Sequence, residues 1–185
     1  MREHPQKLFG THHYLNGSKN PKDTGTIRRK DPINIGNPQR LQVWSLSMKL
    51  EAQWIAGFVD GEGCFHVGIN QHEEMSTGYQ VLPEFTVVQH ERDINILYAI
   101  KNHFDCGVVR KNHGDRMCYR VRSLDHLLQK IIPFFEKHEL KTKKRIDFEK
   151  FRRVLLQMEK GKHLTLAGIE EIRSIRDQMN RGKLR

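Results

Sequence analysis

The sequence is poor in cysteine and contains no long apolar run, and each absence excludes a class of protein. The three cysteines, Cys64, Cys106 and Cys118, are odd in number and form no C-x-x-C pair, which argues against a disulfide framework and against a zinc ribbon or finger. No apolar run approaches the roughly 18 residues that a membrane helix needs. The N-terminus lacks the apolar segment of a secretory signal. We therefore expect an intracellular protein in a reducing compartment.

Acidic residues are also scarce relative to basic ones. Among 185 residues there are 32 Lys and Arg against 22 Asp and Glu, which gives a formal net charge of +10. Such an excess favours a nucleic-acid partner, because contacts with phosphates are mostly ionic and release counterions. A basic protein without such a partner is the alternative. The length suffices for one domain with a sizeable core.

The first part of the chain differs in composition from the rest. Residues 1–46 are rich in Gly, Pro, Asn, Lys and His and show no periodic apolar spacing. This composition predicts a basic, poorly ordered N-terminal extension. A single domain over residues 47–185, ending in helices, is expected to follow it.

The apolar spacing beyond residue 46 predicts alternating pairs of strands and helices. Ser47 is a candidate helix cap, and Pro83 indicates an edge position or a bulge in the second strand. The third helix is expected to bend near Pro133. The predicted elements are a helix at 48–60, strands at 64–72 and 80–89, a helix at 92–104, strands starting at 107 and 117, a helix at 124–139, and two closing helices after a basic segment at 140–145.

Four strands with one apolar face predict an α+β fold, in which an antiparallel sheet packs that face on the helices. The other face is rich in hydrogen-bonding side chains and arginines, which suit base edges and phosphates. An ordinary solvated sheet face is the alternative. The candidate DNA-binding residues are His66, Gly68, Asn70, His72, Gln80, Glu84, Thr86, Arg110, Asn112, Cys118, Arg120 and Arg122, with Lys143 as a phosphate contact beyond the sheet.

The end of the first helix carries two acids between glycines, in the stretch W-I-A-G-F-V-D-G-E-G-C-F at 54–65. A carboxylate at a helix C-terminus meets the unfavourable end of the helix dipole, so Asp60 and Glu62 call for a compensating cation. A divalent ion with oxygen ligands is one candidate. Hydrogen bonding of either acid to nearby backbone amides is the alternative.

The nine residues from Ile55 to Gly63, I-A-G-F-V-D-G-E-G, resemble the motif of the LAGLIDADG homing endonucleases position by position. The similarity extends from about residue 48 to 145. It implies the order helix-strand-strand-helix-strand-strand-helix and a homodimer formed through the motif helices. It places Ala56, Gly57, Asp60 and Gly61 at that dimer interface.

The resemblance also implies roles for individual residues. Glu62, where the motif name has Asp, would be the catalytic metal ligand, with the Gly61 carbonyl as a further ligand. Gln89 would position the attacking water. Asp60 would shape the helix end rather than bind metal. Lys141 would be a basic residue at the edge of the active site, with Lys143 as the alternative register. The implied metal is Mg²⁺, with Mn²⁺ possible and Ca²⁺ binding without supporting cleavage.

The function implied is site-specific cutting of double-stranded DNA at a long, pseudo-palindromic target, leaving short 3′ overhangs and promoting intron mobility. An intron RNA maturase, or a cleavage-inactive DNA-binding relative, is the alternative. The stretch L-T-L-A-G-I-E-E-I at 164–172 resembles the start of a second motif copy. When it is aligned on Leu166-Ala167-Gly168, however, Arg173 and Ser174 stand where the metal-binding acid and the final glycine belong, so it is not a second copy. One motif per chain implies a homodimer. No membrane and no small-molecule substrate are expected, and the location is the organelle or microbial cytoplasm whose genome carries the intron.

Overall fold

A computed structural model describes residues 48–179, which lie in one compact unit. The predicted extension at 1–46 and the predicted cap Ser47 lie outside the described residues. The elements are α1 (Ala52–Glu62), β1 (Gly63–Gln71), β2 (Tyr79–His90), a 3-10 turn (Glu91–Asp93), α2 (Ile94–Phe104), β3 (Val108–Lys111), β4 (Arg116–Val121), α3 (Leu124–His126, a π-helical turn Leu127–Ile131, and Ile132–Lys137), α4 (Lys144–Glu159), a 3-10 turn (Lys162–Leu164) and α5 (Leu166–Arg176).

The strands form one antiparallel sheet in the order β1-β2-β4-β3. This confirms the predicted α+β class and the element order. Pro83 pairs with Val67 of β1, whereas the ladder between β2 and β4 starts only at Phe85. Pro83 therefore lies where β2 has one neighbouring strand among residues 48–179, which is the edge-like position that a residue without an N–H requires.

Helix α1 begins later and ends later than predicted. Glu51, whose side chain makes no capping hydrogen bond, precedes its first turn. The helix continues through the glycines, so that both acids belong to its last two turns. At Gly63 the backbone becomes extended, and a Cβ there would lie 2.6 Å from Cγ1 and 2.8 Å from the carbonyl oxygen of Val59. Only glycine permits this abrupt passage from helix to strand.

Helix α3 contains the irregularity that Pro133 predicted. A π-helical turn over Leu127–Ile131 comes directly before Ile132–Lys137, in which Pro133 occupies the first turn. Because proline has no N–H and its ring crowds the preceding turn, the regular hydrogen-bond ladder is interrupted at this place.

The core lies between the helices and one face of the sheet. Phe65, Phe85 and Tyr119 are fully buried there, and the rings of Phe65 and Phe85 stack at 5.2 Å. Phe135 of α3 meets the ring of Phe65 edge-on at 5.5 Å. The Tyr119 hydroxyl donates to the Cys106 carbonyl at 3.2 Å. The apolar face of the sheet is thus the one packed against the helices.

Across residues 48–179, no helix combines the length and the apolar character that crossing a membrane requires.

Candidate active site and nucleic-acid interface

Asp60 connects the end of α1 to the start of α4. Its carboxylate accepts hydrogen bonds from the N–H of Lys141 at 2.7 Å, from the N–H of Thr142 at 3.0 Å and from the Thr142 hydroxyl at 2.6 Å. Partial burial alone would raise the pKa of Asp60, but these donors, together with Lys144, lower it below its ordinary value. The carboxylate is thus engaged within the chain, in line with a role in shaping the helix end, and its place at a dimer interface stays a prediction.

Lys144 carries the positive charge at the end of α1. Its Nζ donates to the carbonyl oxygens of Val59 at 2.9 Å and Gly61 at 3.1 Å. The Val59 carbonyl also accepts from the N–H of Gly63, so the ammonium adds a second donor there, and as a cation at the C-terminus of α1 it complements the helix dipole. Burial lowers the pKa of Lys144, and the nearby Asp60, Cys64 and Glu62 offset part of that effect.

The structure brings a lysine that was not predicted, Lys144, to the motif helix, and the roles of Lys141 and Lys143 stay predictions. The Lys141 side chain is 79% exposed and pairs with Glu139, and Lys143 is exposed, whereas Lys144 reaches the motif. Helical spacing could have identified it. Lys144 lies four and seven residues before the buried Phe148 and Phe151, so it shares the inner side of α4.

Glu62 is the last residue of α1, and its side chain is exposed. Its carboxylate and the Gly61 carbonyl are oxygen donors of the kind that hard divalent cations prefer. The Gly61 carbonyl already accepts from the Lys144 ammonium, so it would offer a divalent ion only its second lone pair. Within residues 48–179 no three His, Cys, Asp or Glu side chains form a metal cluster. The residues present fit a divalent ion as part of its ligand set, to be completed by other oxygens.

Gln89 is half-buried near the end of β2, paired with Met117 of β4. It follows Val87, the residue paired with Gly63, by two positions. The end of β2 therefore runs beside the exit of the motif helix. By alternation Gln89 shares the face of Val87, and its role toward an attacking water stays a prediction.

The predicted DNA-binding residues of the sheet do share one face. The register pairs His66 with Glu84, Asn70 with Gln80, and Thr86 with Arg120. His72, Asn112 and Arg122 lie just past the ends of their strands. Lys143 lies off the sheet, immediately before α4.

Cys118 corrects the predicted set of contacts. Alternation places it on the open face, opposite Arg110, but its residue is only 1% exposed. Its Sγ donates to the Tyr119 carbonyl at 3.3 Å, and burial raises the pKa of the thiol. Thr86 is also nearly covered, at 8%. The alternation of residues along a strand identifies the face to which a side chain belongs, but it does not show which side chains of that face are covered by their neighbours. Because Cys118 is covered, it is not expected to contact DNA.

Fewer residues of α1 are available for a dimer contact than the sequence predicted. Ile55, Ala56 and Val59 face the core of their own chain, so Ala56 is removed from the predicted dimer contact. Gly57 and Gly61 are exposed, and a Cβ at either would meet open space.

An aromatic pair flanks these glycines, and sequence reasoning assigned it no role at the surface. Trp54 is 43% exposed, and its ring stacks on that of Phe58 at 4.8 Å. The exposed glycines and this aromatic pair lie on the same helix. The position of Trp54 one turn before Phe58 was the available signal.

Comparison with known proteins agrees with this geometry. Residues 55–155, more than half of the chain, match the LAGLIDADG endonuclease family model. The probable intron-encoded endonuclease 2 of Neurospora crassa is 36% identical over 135 residues, covering 72% of this chain and 30% of the relative. The chain thus spans less than a third of that curated relative.

Solved structures give the same result. The homing endonuclease I-TnaI superposes with a TM-score of 0.70 at 57% identity, covering 74% of this chain and 92% of the other. I-SmaMI, bound to an uncleaved DNA target in the presence of calcium ions, superposes with a TM-score of 0.71 at 34% identity, covering 74% of this chain and 47% of the other.

Proposed function

Because the chain belongs to the LAGLIDADG endonuclease family, we propose that it is a site-specific homing endonuclease that cuts double-stranded DNA as a homodimer and promotes intron mobility. The observation that carries the proposal is the end of α1. There Glu62 and the Gly61 carbonyl stand beside Lys144, at the point where the chain enters the first strand of the sheet. The groups proposed for hydrolysis are therefore next in the chain to the sheet whose open face would bind DNA.

The residues divide the hydrolysis of a phosphodiester between them. Glu62 and the Gly61 carbonyl would hold a divalent cation, Mg²⁺ or Mn²⁺. Such an ion, when bound, lowers the cost of charge on the attacking and leaving oxygens. Gln89 would orient the attacking water by hydrogen bonding. Lys144 would offer its ammonium to the charge that develops on the phosphate.

A second copy of the chain would supply the other half of the site. The exposed surface of Gly57 and Gly61 permits close approach of two α1 helices, because neither glycine has a side chain to hold the backbones apart. Two such helices related by a two-fold axis would bring two Glu62 residues to the two strands of one duplex. An isologous dimer reads a near-palindromic target, and cutting would leave short 3′ overhangs.

Selection from a library of long DNA duplexes tests the proposal. The full chain is expected to cut a subset of duplexes in Mg²⁺ and to bind the same subset without cutting in Ca²⁺. Glu62→Gln should retain binding and lose cutting. Glu74→Gln, the same change at an exposed loop residue, should cut like the parent. Cutting by Glu62→Gln at the parental rate would contradict the assignment, and RNA-stimulated splicing without metal-dependent cutting would favour a maturase.

A further inference from the structure

One acid lies in the middle of the sheet face that is otherwise arranged for DNA. Glu84 is in β2, directly opposite His66 of β1, and its side chain is 15% exposed. A carboxylate at this position repels phosphate and therefore lowers the affinity for DNA of any sequence. Its presence needs a reason other than affinity.

Two arginines converge on one oxygen of this carboxylate. Arg122 donates from Nε to Oε2 of Glu84 at 2.5 Å. Arg120 Nε is buried and lies 3.1 Å from the same oxygen without the alignment of a hydrogen bond, so that pairing is ionic. The side chains of Arg120 and Arg122 are 19% and 53% exposed. The pairs therefore hold the inner nitrogen of each guanidinium, and both side chains keep some exposure to solvent.

The atoms used in these pairs matter for recognition. Nε makes the closest approach to Glu84 Oε2 in both pairs, so the terminal amino groups are not the atoms nearest this carboxylate, although the Arg120 side chain also lies beside the Cys118 thiol. That terminal fork matches the O6 and N7 acceptors of guanine in the major groove, whereas a mobile arginine is equally able to contact a phosphate. An arginine held by its inner nitrogen loses less side-chain entropy when it meets a base.

We propose that Glu84 is a specificity-determining positioning residue, which holds Arg120 and Arg122 so that their forks read guanines rather than phosphates. This inference rests on the proposed function and deepens it, because it states how the sheet face discriminates among DNA sequences. Direct reading of cytosine by Glu84 is the rival interpretation. Both arginine pairings use Oε2, so this rival would rely on Oε1 and predicts a loss at one base pair only, which the test distinguishes.

The test compares variants in the same library selection, scored as base preference at each position and as the ratio of specific to random-duplex binding. Glu84→Gln is expected to lower discrimination about tenfold at the two base pairs read by the arginines. It should also bind random duplex more tightly, because arginines that are no longer paired with Glu84 can contact phosphates. The binding constant should then fall more steeply with salt, by about one additional released ion. Arg122→Lys, which keeps the charge and loses the fork, should lose preference at one of the same positions.

The control is Glu74→Gln, which makes the same charge change in the exposed β1–β2 loop. It should leave base preference unchanged. Equal effects of Glu84→Gln and Glu74→Gln would overturn the proposal. So would a loss at a single position that no arginine variant affects, which would instead indicate direct reading by Glu84. A parent chain that selects no duplex at all would overturn the proposed function as well, and is thereby distinguished from failure of this inference alone.

Discussion

The Thr142 hydroxyl donates to the Asp60 carboxylate at 2.6 Å, between residues 82 apart in the chain. This bond is one of several hydrogen bonds that run in both directions between the end of α1 and the start of α4. The acid of α1 accepts from the N–H groups of Lys141 and Thr142, just before α4, and Lys144 of α4 donates to carbonyls at the end of α1. Each helix end receives the charge that its dipole favours. These hydrogen bonds fix the place where Glu62 leaves the helix.

Replacing Asp60 with Asn should destabilise the fold. Asn keeps one acceptor oxygen but lacks the negative charge that strengthens the hydrogen bonds from Lys141 and Thr142. We therefore expect the free energy of unfolding to fall by about 1–2 kcal/mol. Urea denaturation at neutral pH measures it. Glu74→Gln, at an exposed loop position, should change the free energy by less than about 0.5 kcal/mol. Equal stability of Asp60→Asn and the parent would show that these hydrogen bonds contribute nothing.

The contribution of Asp60 should depend on pH in a definite direction. The pKa of Asp60 is lower in the fold than its ordinary value of 3.8, because the donors from Thr142 and Lys141 outweigh the opposing effect of burial. The charged form is therefore the one that the fold stabilises. The difference in unfolding free energy between parent and Asp60→Asn should be fully present above pH 3.8 and shrink as pH falls through the lowered pKa. A difference that grew on acidification would contradict the assigned direction.

Lys144, rather than Lys141 or Lys143, should be the lysine that cleavage needs. Lys144→Met removes the ammonium beside Gly61 and Glu62, and we expect cutting to slow by about 100-fold. Lys141→Met and Lys143→Met should mainly weaken binding and reduce the salt dependence by about one ion each, as phosphate contacts do. Single-turnover cleavage at saturating protein separates the two effects. A Lys143→Met protein that binds normally and cuts as slowly as Lys144→Met would reverse the assignment.

Local patterns in the sequence predicted the elements and the location of the site, because periodicity and the glycine-acid motif are local. The spacing of Lys144 to Phe148 and Phe151 was a usable signal only if the first residue of α4 is known, and the contact of Lys144 with α1 depends on how the two helices meet. Ala56 and Cys118 are residues whose burial the sequence pattern did not predict. Their spacing indicates a face, but coverage by the rest of the fold decides whether that face reaches a partner. The double pairing of Glu84 likewise depends on rotamers across two strands.

Gly57 should be needed for dimerisation and not for folding. A Cβ at this exposed position meets no atom of the chain within 4 Å, and leucine favours helix over glycine by somewhat less than about 1 kcal/mol. Gly57→Leu should therefore fold at least as stably as the parent but separate two α1 helices, and sedimentation should give the 21.8 kDa mass of one chain where the parent gives twice that mass. Ala167→Leu, at an exposed position of α5, is the matched control and should remain dimeric. A Gly57→Leu protein that sediments as a dimer and cuts DNA like the parent would contradict association through α1, since the added side chain projects from the surface on which that association depends.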